Sequence, residues 1–111
     1  MTKSNETTET EARIEALRRE AEAGDASAAN RLGDCYLKGN GVAKDSVQAV
    51  AWYRRGAEAG DASAIIRLSF CYMLGVGCKR DIQAVRFWRR RLSETGGEEI
   101  LRKIDERVDG R

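Results

Sequence analysis

The 111-residue sequence contains no histidine and no proline, and its aromatic side chains are two Trp, three Tyr and two Phe. Without histidine the chain lacks the commonest general base, the commonest metal ligand and any Ser–His or Cys–His nucleophile pair. Without proline nothing forces a kink or a polyproline linker. The three cysteines are Cys35, Cys71 and Cys78. An odd, sparse count is no disulfide framework and points to a reducing compartment. A thiolate zinc site wants four ligands in close pairs, which these spacings do not supply, so no metal and no cofactor are expected. The opening MTKSNETTET has no apolar signal core, and no apolar run approaches membrane-spanning length. The expected setting is therefore cytoplasmic, away from a membrane. Charge of one sign is also missing: 20 Lys and Arg face 18 Asp and Glu, for a net charge of +2. That balance argues against a dedicated nucleic-acid binder.

What is present is repetition. Hydrophobic residues make up 41% and charged residues 34% of a chain of single-domain length. Residues 21–28 read AEAGDASA, and so do residues 57–64, 36 positions later. The spacing persists through Arg31/Arg67, Leu32/Leu68, Cys35/Cys71, Tyr36/Tyr72, Gly39/Gly75, Gly41/Gly77 and Asp45/Asp81. Beyond Asp81 one residue is lost, and the register continues as Gln48/Gln83, Ala49/Ala84, Val50/Val85, Trp52/Phe87 and Arg54/Arg89. Weaker matches extend outward, as in Ile14/Val50 upstream and Ile104/Leu68 downstream. Two full repeats (21–56 and 57–92) between half repeats (9–20 and 93–111) give a single domain over 9–111, with residues 1–8 a disordered polar tail.

Each repeat reads as two helices. Ala28, Leu32, Cys35 and Tyr36 recur at i, i+4, i+7 and i+8, one helical face. Asp25 and Asp61 can cap the first helix of each pair (helix A), and Gly39 and Gly75 sit where a left-handed residue ends it. Val50, Tyr53 and Ala57 form the apolar face of the second helix (helix B), and Asp45 with Gln48 has capping-box spacing. The deletion after Asp81 removes that spacing in the next repeat, so the corresponding turn is expected to differ. The predicted helices span 9–22, 26–38, 46–58, 62–74, 82–93 and 97–108. Tyr36, Trp52, Tyr53, Tyr72, Phe87 and Trp88 are expected to fill the core.

Ala21, Gly24, Ala28, Leu32, Gly33, Tyr36, Gly39, Gly41, Val42, Asp45, Ala49, Trp52, Tyr53 and Ala57 together form a pattern that resembles the Sel1-like repeat. That family is similar in fold to tetratricopeptide repeats. The second repeat departs from it at Ser69, Cys78 and Phe87-Trp88. The resemblance covers residues 12–108. It implies an all-α fold, a right-handed α-solenoid of about six helices in antiparallel pairs, and a role in protein–protein assembly without catalysis.

The candidate binding residues follow from a difference between repeats. The first helix A carries Asn30, Asp34 and Lys38, and the second carries Ile66, Phe70 and Leu74 at the same places. The spacing puts each trio on one face. Ile66, Phe70, Met73 and Leu74 are expected as apolar anchors for a partner protein or peptide, with Asn30, Arg31, Asp34, Lys38 and Arg67 as a polar rim. The competing reading packs this stripe against Ile100, Leu101 or Val108 of the capping half repeat, and a homodimer is a third option. An adaptor, a chaperone-like protein or an immunity protein would fit equally. The alternative function is a ladder of arginines on the B helices, Arg54, Arg55, Arg86, Arg89 and Arg90, meeting an acidic partner or a nucleic-acid backbone. Glutamates four residues after Arg18, Arg54 and Arg90 would instead pair that face with itself. The cysteines read as small core residues and the Gly-x-Gly loops as interhelix turns, so no catalytic residue is nominated.

Overall fold

The computed structural model describes residues 2–94, 102–103 and 105–107, with side chains from residue 8 onward. Five helices follow one another: α1 Thr2–Glu22, α2 Ala26–Lys38, α3 Ser46–Glu58, α4 Ala62–Leu74 and α5 Ile82–Glu94. Residues 102–103 and 105–107 are also helical. The rest of the helix expected over 97–108, including Ile100, Leu101, Ile104 and Val108, lies outside the described residues. One boundary needs correcting. The first helix starts at Thr2 and not at residue 9. Between Thr2 and Glu22 there is no glycine or proline to stop it.

The same local chemistry sets four helix starts. The carboxylates of Asp25, Asp45, Asp61 and Asp81 accept from the backbone N–H three residues on, at 3.0, 3.1, 2.9 and 3.1 Å. Gly39 and Gly75 close α2 and α4 at φ 72°, and their N–H groups return to the Cys35 and Cys71 carbonyls.

These caps overturn the one-residue deletion. Asp81 caps Ala84 as Asp45 caps Gln48, and α3 and α5 both have 13 residues, offset by 36. Gln83-Ala84-Val85 therefore matches Gln48-Ala49-Val50 in letters and not in place. Trp88 is the counterpart of Trp52, and both are buried. Phe87 corresponds to Ala51, and both are exposed, so Phe87 is not a core residue. A glycine supports the same register. A Cβ at Gly33 would lie 2.6 Å from the Tyr53 ring. In the next repeat Ser69 replaces that glycine, and the residue 36 past Tyr53 is Arg89, with no ring to clash.

The helices form two layers, with α2 and α4 (A) in one and α1, α3 and α5 (B) in the other. Each helix packs on its neighbours in sequence, and α2 also touches α4. The result is elongated, 49 × 28 × 26 Å. One core joins Ile14, Ala21, Ala28, Ala29, Leu32 and Trp52. The other joins residues of α3, α4 and α5 around Tyr53, Leu68, Trp88 and Leu92. Tyr36 packs against both. A second element links successive repeats. Arg18 of α1 donates to the Tyr36 hydroxyl at 3.0 Å, and Arg54 of α3 donates to the Tyr72 hydroxyl. Each guanidinium also lies about 6 Å from that tyrosine's ring centre, 6.0 and 5.9 Å. One B helix is thereby tied to the A helix that follows it.

Candidate interaction surface

α2 and α4 do not close completely on each other. Between them lies an open groove of about 260 Å³, lined mainly by Asp34, Lys38, Arg67, Phe70, Leu74 and Tyr53, with Leu37, Cys71 and Val76 completing its apolar floor. Leu74 is 68% exposed and Phe70 40%. They follow the helix register one turn apart, on the face of α4 that looks back toward α2.

The polar side of the groove is a fixed cluster. Asp34 Oδ1 accepts from the Tyr53 hydroxyl at 2.6 Å and from Arg67 Nε at 2.8 Å. Charge-assisted bonds of this kind hold side chains more firmly than neutral ones. Tyr53 comes from α3, so the cluster bridges three helices. Burial, and then the bond to Asp34, pushes the Tyr53 phenol well above its usual range, so it stays a donor. Burial also pushes the Cys71 thiol up to about 11 and raises Cys35 and Cys78. All three are protonated near neutral pH and therefore weak nucleophiles. All three are free. Among the described residues, no three His, Cys, Asp or Glu side chains gather as a metal site.

The structure unites five of the nine nominated residues in the groove: Asp34, Lys38, Arg67, Phe70 and Leu74. Ile66 and Met73 are half-buried, and Ile66 packs on the core. Arg31 is exposed outside the lining. Asn30 is not a rim residue. It is buried, and its Oδ1 has no partner among the described residues. The first turn of each stripe thus points into the stack, and only the later turns reach the groove. Tyr53 was assigned to the core alone. No signal in sequence marks its part in the groove, because the ring is core and only the hydroxyl reaches Asp34.

Three of the five nominated B-helix arginines have partners within the chain. Arg54 is engaged by Tyr72, Arg55 lies 4.7 Å from the Trp52 ring centre, and Arg89 pairs with Asp105 at 2.7 Å. Among the described residues no ion pair joins Arg18 to Glu22, Arg54 to Glu58 or Arg90 to Glu94. The expected self-pairing is replaced by the tyrosine contacts, whose signal in sequence is the constant 18-residue spacing of Arg18–Tyr36 and Arg54–Tyr72. Arg86 and Arg90 remain exposed.

The helix pairs with their 36-residue offset match a known repeat, Sel1, over residues 26–61 and 62–90. The chain belongs to the Sel1 repeat family. Its fold is similar to a Sel1 repeat protein from Oxalobacter formigenes, with a TM-score of 0.73 and 34% identity over 77% of this chain. It is also similar to c5321, a protective antigen present in uropathogenic Escherichia coli strains that displays an SLR fold. There the TM-score is 0.69, with 37% identity over 75% of this chain. Both relatives are longer, and the chain spans 35% of the first and 18% of the second. No curated protein matches it. Sel1 repeats form helical solenoids and generally serve as protein–protein interaction modules, which is the coarse functional class of this chain. No described helix is long and apolar enough to cross a membrane.

Proposed function

We propose that this Sel1 repeat chain works as an adaptor that holds a segment of another protein in the groove between α2 and α4. The observation that carries this reading is the exposure of Phe70 and Leu74 above an apolar floor, beside an Asp34–Arg67 pair already fixed by Tyr53. Apolar anchors in a preformed cleft with a polar edge are the usual makings of a binding hot spot. The A-helix position that holds Asp34 and Lys38 in the first repeat holds Phe70 and Leu74 in the second, so the cleft has one charged wall and one apolar wall. A partner segment with an apolar side chain against α4 and a polar group against α2 would satisfy both. Three free, protonated thiols suit a reducing compartment.

The test is affinity capture followed by mass spectrometry, with wild type beside Phe70→Asp. Circular dichroism should show the variant folded, because Phe70 lies at the surface. A protein retained by wild type and lost by the folded variant supports the reading. Equal retention by both removes Phe70 from the binding surface.

A further inference from the structure

We infer that the exposed face of α5 is a second docking surface, one that takes a short acidic segment of a protein partner. The charge is concentrated there. Residues 79–91 hold six Lys and Arg and one acidic residue, whereas the rest of the chain holds 14 basic and 17 acidic residues, a net −3. Ile82, Arg86 and Arg90 follow one another at helical i, i+4 spacing. Phe87 and Arg91 form the adjoining row, and all five are exposed.

Arg89 is paired with Asp105 at 2.7 Å, but among the described residues no ion pair is formed by Arg86, Arg90 or Arg91. Asp81 is committed to capping α5 through the Ala84 N–H. Glu94, one turn past Arg90 and Arg91, forms no ion pair with either among the described residues. Earlier in the stack Arg18 and Arg54 are answered by tyrosines, but at Arg90, the next position in that series, no described tyrosine stands opposite. In the centre is Phe87, 53% exposed and set edge-on to buried Trp88 with ring centres 5.1 Å apart. An exposed ring braced from behind and flanked by arginines presents an apolar contact inside a cationic frame.

The charge of the rest of the molecule favours a short carboxylate-bearing protein segment over a nucleic acid. The remainder of the molecule is net negative. A long polyanion running past α5 would be repelled by that remainder within a screening length of about 8 Å, whereas a short acidic segment stays on the helix. The segment would carry Asp or Glu toward Arg86, Arg90 and Arg91 and one apolar residue over Phe87. No α5 residue lines the α2–α4 groove, so this surface stands or falls independently of it.

The test is fluorescence anisotropy with three labelled probes. The first is a peptide of about 16 residues, half Asp and Glu with a Leu or Phe every fourth place. The second is the same peptide with Gln and Asn for the acids, and the third is oligo-dT of similar length. Wild type should bind the acidic peptide at least about 10-fold more tightly than the amide control, and less tightly as salt rises. Arg86→Glu/Arg90→Glu should weaken binding about 10-fold or more, and Phe87→Ser several-fold with the salt dependence kept. Arg86→Gln/Arg90→Gln reports the same contacts if the charge reversal disturbs folding. Arg54→Gln/Arg55→Gln and Phe70→Asp should leave binding unchanged. Equal binding of the peptide by wild type and the α5 variants would overturn the proposal. So would tight oligo-dT binding without peptide binding, or self-association that the α5 variants abolish, which would seat a second copy of the chain there.

Discussion

Gly33 and Tyr53 occupy one small volume between α2 and α3. The missing Cβ lets the ring lie against the α2 backbone, and the ring in turn brings its hydroxyl to Asp34. A methyl at Gly33 would meet the ring at 2.6 Å and the Ala49 carbonyl at 3.2 Å. Gly33→Ala is therefore expected to cost about 1–3 kcal/mol, the range for overpacking, although alanine is the better helix former. Urea unfolding measures this, and a variant as stable as wild type would show that the ring is free to move. Cys71 gives a second residue-scale prediction, in pH. Its folded value is raised from 9.0 to about 11 by burial, so the unfolded chain loses this proton first. Its contribution is intact below about pH 9 and is lost as pH climbs from 9 through 11. Wild type should lose about 2 kcal/mol more than Cys71→Ala between about pH 8 and pH 10.5. Parallel losses in the two proteins would contradict the assigned burial.

At the scale of the element, α2, α3 and α4 were legible because each is preceded by aspartate and followed by glycine. The spans expected for α2, α3 and α4 agree with the structure to the residue. The register of α5 was not legible. Three matching letters, Gln-Ala-Val, outweighed the capping aspartate, although Val50 and Val85 are buried at different places in their repeats and it is the cap that fixes where the helix begins. The 36-residue offset makes Trp88 structural and Phe87 a surface residue. Trp88→Ala should cost about 3–5 kcal/mol, the range for emptying an aromatic site in a core. Phe87→Ser should cost no more than about 1.5 kcal/mol, the loss of its edge contact with Trp88. Thermal or urea unfolding of the pair decides it, and a large loss at Phe87 would restore the deleted-residue register.

At the scale of the whole molecule, the solenoid is held by two cores and by the Arg–Tyr contacts between successive repeats. On α3 the face toward the next repeat is apolar, with Val50, Tyr53 and Ala57. The equivalent α5 positions are Arg86, Arg89 and Ser93. The stack thus changes character at α5, from a surface that receives another repeat to one that meets carboxylates, as Arg89 does with Asp105. The architecture could be read from sequence because stacking needs a periodic apolar face. The apolar wall of the α2–α4 groove could be read too, because Phe70 and Leu74 break that period. Asn30 could not be placed, since a polar residue one turn earlier on the same stripe looks like a rim until the packing of α3 is known. Tyr53 was hidden for the converse reason, because its ring is core while its hydroxyl reaches the groove.

The most direct test of the central claim is site-specific photocrosslinking. A benzoylphenylalanine replaces Leu74 in the groove or, as a control, Val47, which is equally exposed at the start of α3. The account predicts a discrete crosslinked protein from position 74 that is absent from position 47 and disappears when Phe70→Asp is added. A partner captured equally from both positions, or one indifferent to Phe70→Asp, would contradict binding in the α2–α4 groove.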